Sequence, residues 1–398
     1  MKQSLPKWYD TLLFVALLSG PPKLRARDPV QSLENVVDWA VLLNFGVWLF
    51  GALWVLARFG NDFVFNKRLP AFPASVYLGF AFVCALLLSM LTSNAPLLTL
   101  YRTVQVGIAL LFCFHWIDEF GVDNALRHLF WGLVFCISII LVVAAIDPDS
   151  VFASNRLMGG VWGSAGSVAA LGCVVALTYP ATRAWLRWVS LVIFFAILVF
   201  SMTRAAYAAV LVPLLVAAMT NVEASAARRV FWLLVAVITM ALVFEWSPGW
   251  ADFLLRDPES LATLSDRVPL WEYLLDELWR SSPWLGLGFF AIRDVALAYN
   301  PGLGSAHSGY VEVLAGAGIF GLFAYGAVLV YQLGLVVRLL RHVRISRAAF
   351  AAINLLVAVL LLGVTSEDSI IASPVSFTFW LTAAMLPILA QQKSDRSL

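Results

Sequence analysis

The chain has 398 residues, 62% hydrophobic and only 13% charged, with a mean hydropathy of +0.87. Ordinary globular domains carry about 25% charged residues, so this composition excludes a soluble globular protein and points to an all-α, polytopic membrane helix bundle. A net charge of +2 without a basic tail or patch excludes nucleic acid as a partner.

A helix crosses about 30 Å of hydrocarbon with about 20 residues. On that ruler twelve spans are predicted, at 8–20, 36–57, 74–92, 97–116, 129–146, 163–179, 186–202, 205–220, 230–246, 309–337, 348–365 and 372–391. The first is short, with a basic, signal-like end. No small-x-small cleavage site follows it, so it is expected to be a retained helix. Cys84, Cys113, Cys136 and Cys173 all fall in apolar segments without metal-ligand spacing and read as small core residues. The chain is expected to form one integral membrane domain, residues 1–398.

Orientation follows from Lys and Arg in short loops. RLLRHVRISR (338–347) belongs in the cytoplasm and the acidic TSEDSIIASP (365–374) outside. RFGNDFVFNKR, TRAWLR and EASAARR then also fall inside, whereas PPKLRARD (21–28) falls outside, against the rule. The long connection, residues 247–308 between spans nine and ten, lies outside. Ordered loops of that length are usually lids or binding elements. Its tryptophans, Trp250, Trp271, Trp279 and Trp284, suit a headgroup position. Within it, DRVPLWEYLLDELWR places Leu270, Tyr273, Leu274 and Leu278 at helical spacing, which predicts an amphipathic helix at the membrane surface.

The polar groups of the outer side are where chemistry could sit. Arg204 (SMTRAAY) lies in a tight hairpin between spans seven and eight. An uncompensated Arg near hydrocarbon is costly, so Arg204 faces either the protein interior or, by snorkelling, the lipid headgroups. Arg267 opens the amphipathic element, with Asp266 as an alternative partner. Arg156 precedes a flexible Gly-Gly entry to span six. His307 stands among small residues at the mouth of span ten, where a helix-start hydrogen bond is the plainer role. Asp147-Pro148-Asp149 has a formal D-x-D spacing, but the proline favours a turn over a metal site. Nucleotide, zinc and Ser/His/Asp signatures are absent, and the G-x-G of SPWLGLGFF is too short to mean phosphate binding.

SDRVPLWEYLLDELWRSSPWLGLGFFAI, followed by SAHSGYVEVLAGAGIFGLF, resembles the signature of the O-antigen ligase and polysaccharide polymerase family of membrane glycan transferases. The likeness runs from about 265 to 323, and the stretch around Arg204 extends it. Ser308 stands where the family usually has Asn, and Asp266 where it has Gly. The resemblance implies a GT-C-like fold and transfer of a glycan from undecaprenyl diphosphate to a sugar hydroxyl or lipid A–core, at the periplasmic face of the bacterial inner membrane. It also implies a polysaccharide assembly system as the setting, and no metal or other cofactor. By the same resemblance Arg204 and Arg267, with Arg156 third, would hold the diphosphate, and His307 would be the general base. A transporter or flippase is the competing class. It would need ionisable or broken-helix sites near the bilayer midplane, whereas here the polar residues gather at one face.

Overall fold

The computed structural model describes residues 5–19, 39–64, 72–148, 152–153, 156–157, 164–201, 203–220, 267–300, 305–341, 345–366, 370 and 373–394. Span nine (230–246), the loop to residue 266, and Glu367 and Asp368 lie outside them. The described chain is a bundle of helices: α1 (Trp8–Ser19), α2 (Trp39–Val64), α3 (Ala74–Leu88), α4 (Pro96–Ile146), α5 (Ala165–Thr178), α6 (Ala184–Ser201), α7 (Arg204–Thr220), α8 (Arg267–Ser281), α9 (Ile292–Tyr299), α10 (Gly309–Leu340), α11 (Arg347–Thr365) and α12 (Pro374–Ser394). Among the described residues strands occur in a two-residue antiparallel ribbon, β1 (Phe152–Ala153) with β2 (Arg156–Leu157). Among the described residues seven helices are long and apolar enough to cross a membrane, and α1, α5 and α7 are shorter apolar helices.

The 51-residue α4 is two spans, not one. Gly121 sits inside it at φ 81°, ψ 167°. In a straight helix residues 116 and 128 would be about 18 Å apart, yet the Trp116 and His128 rings lie 5.2 Å apart. The chain therefore reverses at Gly121, and the fourth and fifth expected spans meet there without a loop. Counting α4 twice, the described residues supply eleven of the twelve expected spans: seven long helices, three short ones and the extra half.

α10 breaks in the same way at Gly318, φ 65° and ψ −163°. The Tyr310 and Tyr325 rings are 6.2 Å apart, where a straight helix would hold the two residues about 22 Å apart. The expected tenth span, 309–337, thus consists of a short segment that folds back and a full-length segment from Ile319 onward.

The core sits around α5 and α12. Residues 165–176 of α5 are buried on every face, and Phe377, Phe379, Trp380, Leu381 and Met385 of α12 are buried as well. By contrast α2 and α6 carry exposed Leu49, Phe50, Leu53, Val192 and Phe200. In a membrane these meet acyl chains, which explains how so apolar a chain can leave such groups uncovered. α8 is the expected amphipathic helix, but its stripe is not turned to lipid. Leu270 and Leu274 pack against Ile292, Ala296, Ala306 and Ala315 in a second small core.

Candidate active site

One end of the bundle is organised by a backbone clamp. A helix leaves its last carbonyls and first amides without intrahelical partners, so the break at Gly318 exposes both kinds at once. The stretch Pro283–Gly288 satisfies them. Leu287 N donates to Ala315 O (2.8 Å), and Gly288 N to Gly316 O (2.9 Å). On the other side of the break, Ile319 N donates to Pro283 O (3.0 Å) and Phe320 N to Trp284 O (3.2 Å). Contact this close leaves no room for side chains. A Cβ on Gly318 would overlap the Trp284 carbonyl, and one on Gly286 the Gly316 carbonyl. The G-x-G of SPWLGLGFF is therefore a structural fitting, made so that two backbones can touch.

The clamp docks on the 3-10 turn Ser89–Thr92, between α3 and α4. Thr92 Oγ1 donates to Gly286 O (2.6 Å), and Phe289 N to Ser89 Oγ (3.1 Å). Phe290 follows at φ 69°, and its amide donates to Glu312 Oε1 (3.1 Å) on the refolded segment of α10. Glu312 is almost wholly buried.

His307 stands two residues before α10, with φ 52°. A non-glycine residue in this left-handed region costs on the order of 1–3 kcal/mol and persists where the surroundings dictate it. Those surroundings are Ala306 and Ser308, both buried, while His307 itself is half-buried. Ser308 O accepts the first helical bond, from Glu312 N (2.9 Å). The helix segment beginning here folds back into the bundle, and Tyr310 reaches α11, where its hydroxyl donates to Leu360 O (3.0 Å). His307 therefore precedes a segment that folds back at Gly318, and does not stand at the tip of a straight span.

Arg267 opens the helix that is tied to this stretch. It is the first residue of α8, and one turn on, Trp271 Nε1 donates to Ala306 O (2.7 Å). Residues four apart share a helix face, so the face bearing Arg267 abuts the residue preceding His307. Trp271 is thereby a strut within the protein and not merely a headgroup anchor.

Arg204 arrives separately, as the first residue of α7. The hairpin ahead of it is tied by Ser201 Oγ to Leu198 O (2.8 Å) and by the Tyr207 hydroxyl to Leu198 O (3.0 Å). α7 packs on α11, the helix that Tyr310 also touches, so α11 is the element common to Arg204 and the His307 segment. Both Arg204 and Arg267 open a helix, where free amides already give a partial positive charge. A guanidinium at that end does nothing for its own helix and adds to the attraction for an anion. Arg156 pairs with Ala153 in the small ribbon, and its side chain lies outside the described residues.

Arg102 and Arg293 also belong to this end. Arg102, two turns into α4, stacks on Phe290 (5.2 Å to the ring) and donates to Gln105 Oε1 (3.1 Å). Its Nε, like that of Arg293 on α9, is buried without a hydrogen-bond partner, and its charge is felt alongside those of Arg293 and Glu312. Asp294 is held above the usual carboxylate range by burial, which the neighbouring Arg293 only partly offsets. An arginine within an apolar run was the one available signal for Arg102. Its company of Phe290, Arg293 and Glu312 comes from distant parts of the chain.

The family model described as O-antigen ligase matches residues 189–326. Over that stretch the chain is similar to the O-antigen ligases. The match takes in Arg204, Arg267, Arg293, His307 and Glu312 together with the whole glycine clamp, and leaves Arg102 and Arg156 outside it. No curated protein matches the chain. The resemblance seen in the sequence is thus borne out, and the matched stretch includes the backbone clamp.

Proposed function

We propose that this protein transfers a glycan from undecaprenyl diphosphate to a sugar hydroxyl at the periplasmic face of the inner membrane. The observation that supports the reading is the bond between Trp271 and Ala306, which ties the helix that Arg267 opens to the residue preceding His307, inside the O-antigen ligase match.

Chemically, a lipid diphosphate is already a good leaving group, so the demand on the protein is to hold its charge in a poorly hydrated place. Opposite unit charges about 4 Å apart attract by about 4 kcal/mol at an effective dielectric near 20. Arginine keeps its charge and offers a planar fork that matches phosphate oxygens. Arg267 and Arg204 take this role, with Arg156 third. Neutral His307 accepts the proton of the acceptor hydroxyl as its oxygen attacks the anomeric carbon. The bond to the diphosphate breaks in the same step, inverting that carbon, and no metal is required. Positioned base catalysis of this kind is worth typically 10²–10⁴-fold.

The test is transfer by purified protein in detergent, using lipid-linked donor and following product by gel or mass spectrometry. Product with inverted linkage from wild type, and its loss in His307→Ala, is the expected result; undiminished product from His307→Ala would sink the reading. Lipid-linked intermediates in a deletion strain then separate the two family activities. Accumulated single repeats mean polymerase, and free core beside lipid-linked polymer means ligase.

A further inference from the structure

The opposite end of the bundle holds a second feature, unconnected with the first. A cavity of about 610 Å³ opens where four elements finish or turn: the reversal of α4 at Val122–Arg127, Tyr179 and Pro180 after α5, Ser346–Ala348 at the start of α11, and Leu389 and Gln392 near the end of α12. Sites for small ligands occupy roughly 300–1,000 Å³.

Among the described residues its charged groups are Asp123, Arg127 and Arg347. Asp123 already accepts a hydrogen bond from the Tyr179 hydroxyl (2.5 Å). Neither guanidinium makes a hydrogen bond or ion pair with the described residues. Two cations thus face one carboxylate that is partly spoken for, and the balance calls for an anion. The remaining walls, Val122, Pro180, Ala348 and Leu389, are apolar.

Depth in the membrane follows from the next turn of chain. Trp185 and Trp188, on the first turns of α6 just beyond Pro180, are 61% and 48% exposed. Exposed tryptophans of this kind mark the headgroup level. Arg183, Arg187, Arg338 and Arg341 lie at the same end, which makes it the cytoplasmic one by the positive-inside rule.

We infer that this cavity binds a phosphate group through Arg127 and Arg347, and that its position favours the headgroup of an anionic membrane lipid as the source. Basic pockets between spans on the cytoplasmic side are a recurring solution for lipid phosphates. Here the arginines take the phosphate oxygens and the apolar walls take the glycerol and the first methylenes. The inference does not depend on the proposed glycan transfer, and its test does not read transfer.

The experiment is native mass spectrometry of the purified full chain with added phosphatidylglycerol, against phosphatidylethanolamine as the zwitterionic control. A parallel titration uses inorganic phosphate alone as probe and competitor. Wild type should retain phosphatidylglycerol preferentially. The double variant Arg127→Gln, Arg347→Gln should lose about thirty-fold in affinity, the combined effect of two surface arginines near lipid. Arg127→Lys with Arg347→Lys should recover much of it, which separates loss of charge from loss of fold. Retention that phosphate does not displace identifies the lipid, and displacement by millimolar phosphate identifies a free phosphate as the natural occupant. Equal retention of both lipids by wild type and the Gln variant overturns the inference.

Discussion

Two long helices reverse at a single glycine, and the two reversals are held in different ways. At Gly121 side chains hold the turn. Trp116 lies against Phe120 and His128, Arg58 bonds Glu119, His128 meets Thr11, and Asp123 takes the Tyr179 hydroxyl. At Gly318 main chain holds it, through four hydrogen bonds to residues 283–288. A turn held by side chains distributes its stability over many replaceable contacts. A turn held by backbone concentrates it where no Cβ fits, and in exchange fixes its neighbours closely. His307, Arg267 and Glu312 all hang from the second kind.

The sharpest way to break this contrast is chemical. His307→Asn keeps a residue that tolerates the left-handed region while removing the base, so transfer should fall by about 10²–10⁴-fold with an unchanged melting temperature. Wild-type transfer should also decline on acidification, because a protonated imidazole cannot accept the hydroxyl proton. Survival of more than about a tenth of the turnover would put the base elsewhere.

Next come the glycines. Gly318→Ala combines an unfavourable φ with overlap on the Trp284 carbonyl, so a loss of more than about 3 kcal/mol is expected. Gly121→Ala meets a positive φ as well, and a smaller loss of about 1–3 kcal/mol is expected. Thermal unfolding in detergent checks both, and equal shifts would erase the distinction between the two turns.

Arg267→Lys keeps the charge and loses the fork. A drop of about ten- to hundredfold in kcat/KM is expected, the scale of one charged hydrogen bond; near-normal turnover would mean that Arg267 does not grip phosphate by two oxygens. The smallest effect should come from Trp271→Phe. It leaves Ala306 O without its donor at about 1 kcal/mol, and should show as a severalfold fall in kcat with expression intact.

Much of this architecture was legible in hydropathy. Eleven of the predicted spans have helices in the described structure because each apolar run is long and flanked by polar residues. The reversal at Gly121 was not legible. DEFGVDNALRH reads as a polar loop, yet it stays helical on both sides of Gly121, because Arg58, Tyr179 and Thr11 supply partners from remote segments. The break at Gly318 hid for the opposite reason: AGAGIFG is as apolar as any span, and hydropathy is blind to direction. Of the site, Arg267 and His307 were visible through resemblance. Arg102 and Glu312 were not, since each gains meaning only from neighbours that the fold supplies.

The clamp also sets an order of assembly. Residues 283–288 and 315–320 are close along the chain, so little loop entropy opposes their pairing. The docking of Thr92 on Gly286 instead joins points 194 residues apart, and that of Phe289 on Ser89 points 200 apart. Short closures outpace long ones, which makes the pairing of 283–288 with the broken helix a local nucleus that later settles on α3 and α4 as a finished piece. During synthesis the amides of Leu287 and Gly288 are thus sheltered before that of Phe289, the next residue along. The histidine acquires its backbone conformation from its own stretch of polypeptide, ahead of the bundle that encloses it.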